Sequence, residues 1–401
     1  VDAVLLVAAV SAVLVLLGLV SGLVARSPLT QPMLALLAGV LLGPALGVLP
    51  VEVRDARPLL LVAELALAVL LFRDASRVEL RLVRVQGAIP ARMLLLALPL
   101  TVLLGTVAGS LLLGLGVGAA AVLACLLAPT DAALGQSLLS DERVPGRLRQ
   151  VVNVESGLND GFVVPLLAVA LVVAGASASD GPAALALDAL QLVGVGLLVG
   201  VGIGAAVAGG LRVVDWRTLE PAARQVGAAA TALAAWGGSE LLGGNGFVAA
   251  FACGIAFGAL VDDADQLLEF TQDLGDLLAL LTFVAFGALF VAPAADALSL
   301  GSVVLVVLSL TLLRMLPVAV SLAGAGLPWR EVAALGWFGP RGLATVVFGL
   351  EVLELADEGA LAQGERIFGV AALAVVASVV LHGLSAGPLA NGLAVDTSDP
   401  A

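Results

Sequence analysis

A succession of apolar runs, each near the roughly 20 residues an α-helix needs to cross a bilayer, constrains this chain more than any other feature. Thirteen are read, at about 2–25, 29–49, 58–72, 90–114, 117–139, 151–175, 188–210, 225–242, 245–260, 276–293, 298–323, 331–353 and 366–388, separated by short charged or Gly/Pro-rich connections. In lipid every backbone polar group must be satisfied within the protein, and runs of this length do so as helices rather than barrel strands. The expected class is therefore an all-α polytopic membrane protein of about 13 transmembrane helices. Composition agrees: 61% hydrophobic and 12% charged residues lie far from the roughly 45–50% and 25% of soluble domains. Membrane lipids are the expected surroundings, with no nucleic-acid partner. No secretory signal peptide is evident, and the tail "NGLAVDTSDPA" is too short to fold alone, so no attached regulatory domain is expected.

Arginine placement gives an orientation. With the N-terminus outside and the C-terminus in the cytoplasm, thirteen arginines fall inside: Arg26, those from Arg73 to Arg92, from Arg143 to Arg149 and from Arg212 to Arg224, and Arg330. Arg54, Arg57 and Arg366 fall outside, and this asymmetry matches the positive-inside rule. The loop "VDDADQLLEFTQDLGD" is acidic and lacks arginine; an amphipathic segment lying at the membrane surface is expected there.

Several chemistries have little footing. The chain has no lysine, which excludes a Schiff-base pigment. Cys125 and Cys253 sit in apolar runs as small hydrophobes. His382 is the only histidine, so zinc or haem has little support and a helix-end polar group is the simpler reading. Gly-rich runs such as Gly194 to Gly210 fit close helix contact; a phosphate-binding loop would need a preceding strand.

The polar groups within apolar runs carry the functional signal, because ionisable residues at bilayer depth are costly and mark ion or proton paths. In "VVNVESGLNDGFVVP" (151–165), Glu155, Ser156, Asn159 and Asp160 share an arc of about 140° on one helix, with Asn153 at its edge. Asn153 is expected to hydrogen-bond between helices. "LLAPTDAALGQ" places Pro129, Thr130 and Asp131 mid-segment, where proline frees carbonyls able to ligate a cation. "LTLLRMLPV" carries Arg314, and "GWFGPRGLATVVFG" carries Arg341 within a Gly/Pro interruption. Two interrupted segments, the fifth and twelfth, occupy corresponding places in six-helix halves if the seventh is a spacer. Inverted repeats of segments 1–6 and 8–13 with discontinuous fifth and twelfth helices are the layout of secondary transporters. Hard oxygen ligands suit Na+ or Li+, and a partly desolvated carboxylate lets protons and cations compete for one group.

"APTDAALG", "VNVESGLNDG", "LLRMLPV" and "GWFGPRGLA" occur in this order and resemble the signature elements of sodium/proton antiporters of the NhaP/NHE type. The resemblance spans nearly the whole chain. It implies a homodimer in the cell membrane, serving pH homeostasis by exchanging Na+ and H+, with no enzymatic activity and no cofactor. It further implies dimerisation helices 1–3 (1–89) and 7–10 (176–293), and core transport helices 4–6 (90–175) and 11–13 (294–401, with a short cytoplasmic tail). Asp160 matches the essential ion- and proton-binding carboxylate, with Asp131, Thr130 and Ser156 helping to hold Na+. Glu155 and Arg314 match a supporting pair, for which a packing ion pair is the favoured role. Arg341 matches a supporting arginine at the helix break. Asn159 is the neutral member of an Asn-Asp pair that the family associates with electroneutral exchange. The charged run "FRDASRVEL" departs from the pattern by its wealth of arginine.

Alternatives stay open at this stage: K+/H+ exchange, a Na+-coupled symporter, a passive channel, or an intramembrane aspartyl protease whose carboxylates share a proton. For Glu64, mid-segment and without an obvious partner, structural and functional roles are equally open.

Overall fold

The structure is a computed structural model that describes residues 3–24, 27, 29–45, 47, 57–77, 88–131, 143–176, 182–214, 218–261 and 265–393. Among these residues there is no strand, and each apolar run contains helix: α1 (Ala3–Val24), α2 (Gln31–Val40), α3 (Arg57–Ser76), α4 (Ala88–Leu113), α5 (Val117–Leu126), α6 (Gly146–Leu171), α7 (Pro182–Val214), α8 (Pro221–Leu241), α9 (Gly246–Leu260) and α10 (Asp265–Leu289). They are followed by α11 (Leu300–Leu310), α12 (Leu312–Ser321), α13 (Trp329–Trp337), α14 (Leu343–Asp357) and α15 (Gly364–Leu393). Six helices among the described residues are long and apolar enough to cross a membrane.

Local chemistry sets the ends. Thr30, Asn245 and Ser299 start α2, α9 and α11 by accepting the N–H of the residue three positions on, which satisfies one orphan donor at each N-terminus. Gly114, at φ 64°, ends α4 in the left-handed conformation that glycine adopts without penalty. Wide turns interrupt α4 at Met93–Ala97, just before Pro99, and extend α2 through Leu41–Ala45 around Pro44, a common way of absorbing proline in a helix.

Packing uses small residues. α3 lies against α9 and α10, α7 against α9, α4 against α5, and α14 against α15. Along α7, Gly196, Gly200 and Gly204 meet the backbone carbonyls of Asn245, Ala249 and Cys253, so close that a Cβ would overlap them. Gly202, between them in sequence, faces open space. Large apolar side chains such as Leu19, Leu111 and Leu198 point outward, as they do where the surroundings are lipid.

The structure departs from the sequence reading in several places. The acidic stretch expected as a surface segment is instead, from Asp265 onward, the first turns of the continuous helix α10; residues 262–264 lie outside the described residues. Leu267, Leu268 and Thr271 form a buried face there, and that apolar stripe outweighs the charges around it. The eleventh segment is broken at Thr311, whose φ −124° and ψ −98° are not helical. Asn153, expected to bridge helices, is exposed. Of the fifth segment, residues 132–139 lie outside the described residues.

The glycine seam yields a direct test. Gly200→Leu should destabilise the protein by about 1–3 kcal/mol through overpacking, while Gly202→Leu should leave thermal unfolding in detergent nearly unchanged.

Candidate functional site

The chain beyond the end of α5 and the interruption between α13 and α14 cross and complete one another. After α5, Pro129 cannot continue the helix, and Pro129, Thr130 and Asp131 are not helical. Between α13 and α14 the chain turns sharply: Phe338, at φ −79° and ψ 77°, allows the Gly339 N–H to reach the Trp337 carbonyl at 2.8 Å, the geometry of an inverse γ-turn. At the crossing the Asp131 N–H donates to the Pro340 carbonyl at 2.7 Å. The Leu343 N–H, at the start of α14, donates to Asp131 Oδ2 at 3.2 Å, so this carboxylate sits at the positive end of a helix. A Cβ on Gly342 would collide with the Asp131 side chain, which makes glycine a steric requirement there.

Arg341, fully buried, binds the two interruptions together. Its Nη1 donates to the carbonyls of Ala128 at 2.6 Å and Pro129 at 2.9 Å, and Nη2 to that of Ser309, at the end of α11, at 2.9 Å. Thr345 Oγ1 donates to the Leu126 carbonyl at 2.9 Å. The acceptors released where α5 and α11 end are thus occupied by groups from the second interruption.

The polar face of α6 meets this crossing. Ser156 Oγ donates to the Thr130 carbonyl at 2.6 Å. Asn159 Nδ2 contacts Thr130 Oγ1 and lies 3.4 Å from Glu155 Oε1, while Thr130 Oγ1 lies 3.4 Å from Glu155 Oε2. Glu155 and Arg314 of α12 form an ion pair at 2.9 Å, 2% and 1% exposed. Among the described residues, two side-chain oxygens on this helix have no hydrogen-bond partner: Asn159 Oδ1 and Asp160 Oδ1, both buried. Buried oxygens are nearly always paired. The charges acting on Asp160 are the carboxylates of Asp131, Asp74 and Glu155, an environment of hard oxygen and negative charge suited to an alkali cation or a proton.

Asp74 was not singled out from sequence. With Arg73 it forms the last turn of α3, packed against Gly157 of α6 such that a Cβ there would lie 3.3 Å from Asp74 Cβ. Arg73 Nε holds Asp74 Oδ1 at 2.6 Å and Nη1 lies 3.8 Å from Asp276 of α10. The only sequence signal was the unusual "FRDASRVEL" run. Glu64, which had no evident partner, lies within electrostatic reach of the carboxylates of Glu240 and Glu354. Among the described residues no three His, Cys, Asp or Glu side chains are grouped to hold a metal ion.

A helical membrane bundle in which the non-helical chain beyond one helix crosses an interrupted helix, beside a carboxylate with a buried oxygen, has the architecture of a secondary transporter. The family model described as "sodium/hydrogen exchanger, transmembrane" matches residues 10–392, and the chain belongs to that family. It is similar to uncharacterized Na(+)/H(+) exchangers of Mycobacterium tuberculosis (strain ATCC 25618 / H37Rv) and Mycobacterium bovis, 44% identical over 92 residues; the match covers 22% of this chain and 17% of each relative. The fold is that of the sodium proton antiporter MjNhaP1 from Methanocaldococcus jannaschii. Its structure at pH 8 superposes with a TM-score of 0.79 over 98% of this chain and 100% of the other at 20% identity. The structure from its electron-microscopy map gives 0.76 over 100% of each chain at 22% identity.

The buried ion pair makes a stability prediction. Glu155→Ala or Arg314→Ala should each cost about 3–5 kcal/mol by stranding a buried charge, whereas Glu155→Leu with Arg314→Met should recover most of the loss, read by thermal unfolding in detergent.

Proposed function

We propose that this protein is an electroneutral Na+/H+ antiporter in which the two ions compete for Asp160. The observation that carries this reading is the buried oxygen of Asp160, without a partner among the described residues, on the helix whose Ser156 and Asn159 meet Thr130 at the crossing. A carboxylate with no arginine of its own among the described residues binds either a proton or a cation stripped of its hydration shell, not both at once. Asp131, Thr130 and Ser156 complete the Na+ ligand set. Asn159, Glu155, Arg314 and Arg341 hold it in shape.

Competition at one group, exposed to each side in turn, suffices for antiport. The proposed division follows: helices of 1–89 and 176–293 as the dimerising scaffold of a homodimer, and those of 90–175 and 294–401 as the moving core, related as inverted repeats. The chain sits in the cell membrane with its N-terminus outside and C-terminus in the cytoplasm, serving pH homeostasis, with Na+ or Li+ and H+ as substrates. One-for-one exchange is supported by the neutral Asn159 beside Asp160.

Asp160→Asn in proteoliposomes should abolish Na+-dependent proton movement; persistence of the exchange would sink the assignment. In the wild type, a proton on Asp160 blocks the cation, so apparent KM for Na+ should rise as pH falls, approaching about tenfold per pH unit once the carboxyl is mostly protonated. A KM that ignores pH would exclude competition. An imposed voltage should leave the rate unchanged.

A further inference from the structure

His382 lies on α15, 1% exposed, and none of its contacts is with the carboxylates described above. Its ring reaches both banks of the second interruption. Nε2 is 3.1 Å from the carbonyl of Trp337, the last residue of α13. Nδ1 is 3.0 Å from Ser378 Oγ, and that oxygen receives the Arg341 N–H at 2.6 Å.

The fixed partners dictate where the protons are. A carbonyl only accepts, so Nε2 carries hydrogen. An amide N–H only donates, so Ser378 Oγ accepts from Arg341 and turns its own hydrogen to Nδ1. Every donor then meets an acceptor with the imidazole neutral. A hydrogen on Nδ1 would instead point to the Ser378 carbonyl, 3.2 Å away, and deprive the serine hydroxyl of its acceptor. The positive charges acting on the ring are Arg341 and Arg314. Trp337 Nε1, donating to Ser385 Oγ at 3.0 Å, adds a second tie between the end of α13 and α15.

We propose that His382 and Ser378 are a positioning pair: the neutral imidazole, through the serine hydroxyl, ties the Trp337 carbonyl to the Arg341 amide and fixes the span of the second interruption. The direction from which the Arg341 guanidinium reaches the Ala128 and Pro129 carbonyls is thereby set, and with it the position of Thr130 and Asp131. The interruption and α15 move as one body. The consequence for transport rests on the antiporter reading; the clamp itself does not.

Because the chain has one histidine, tag-free protein labelled with 15N-histidine gives a single imidazole to observe by solid-state NMR in lipid. The expected spectrum at neutral pH is that of the neutral Nε2–H tautomer, with the Nδ1 signal displaced in Ser378→Ala. An imidazolium or an Nδ1–H tautomer would overturn the clamp whatever the protein transports. In proteoliposomes, His382→Ala should raise the apparent KM for Na+ about tenfold, the worth of one buried hydrogen bond. Ser378→Ala should do the same, and the double variant should be no worse than either single, since the two residues are links of one chain. His382→Gln, whose amide can still donate to the Trp337 carbonyl, should recover most of the affinity. Additive effects, or a KM unmoved in both single variants while thermal stability falls, would reduce the pair to ordinary packing and refute the proposal. If the wild type moves no protons in response to any alkali cation, the antiporter reading fails and the NMR result alone decides the clamp.

Discussion

Backbone groups released by a broken helix cannot be left unpaired in a membrane interior, and this constraint organises the molecule. An unsatisfied carbonyl or amide costs several kcal/mol away from water. Here the solution is mutual. Arg341 takes the carbonyls of Ala128, Pro129 and Ser309, Asp131 takes the Leu343 amide, and the Asp131 amide takes the Pro340 carbonyl. Neither interruption is satisfied without the other, so their positions are coupled by necessity rather than by surface fit.

The same logic sorts the acids. Glu155 is neutralised by Arg314, Asp74 by Arg73, and Asp131 is occupied by the start of α14. Asp160 alone of the four keeps a buried oxygen without a partner among the described residues. Chemical similarity is thus resolved into different roles by what each carboxylate already holds, a separation that composition cannot reveal.

The helices were legible because apolar runs of membrane-spanning length leave the backbone one solution, and the gathering of Glu155, Ser156, Asn159 and Asp160 was legible because a 3.6-residue period aligns them. The end of α5 ahead of Pro129 and the break around Pro340 were legible from proline and glycine. The break at Thr311 was not: "LSLTLLRML" contains neither residue, and Pro317 lies about a turn and a half further on, inside α12. α10 misled because charges at its start masked a buried stripe of Leu267, Leu268 and Thr271. Asp74 escaped notice because its adjacent partner Arg73 read as one more charge at a helix end, and Ser309 and Ser378 because they meet Arg341 from far away in sequence.

The bend at Thr311 has one more implication. Ser309 offers its carbonyl to Arg341 where α11 stops one residue later. Had the chain continued as a regular spiral, that oxygen would be shared with an amide of its own helix and the guanidinium would hold a weaker anchor. Substitutions that strengthen helix at this point, the ordinary route to a hardier membrane protein, would therefore work against the machinery, so thermostability must be sought elsewhere in the sequence.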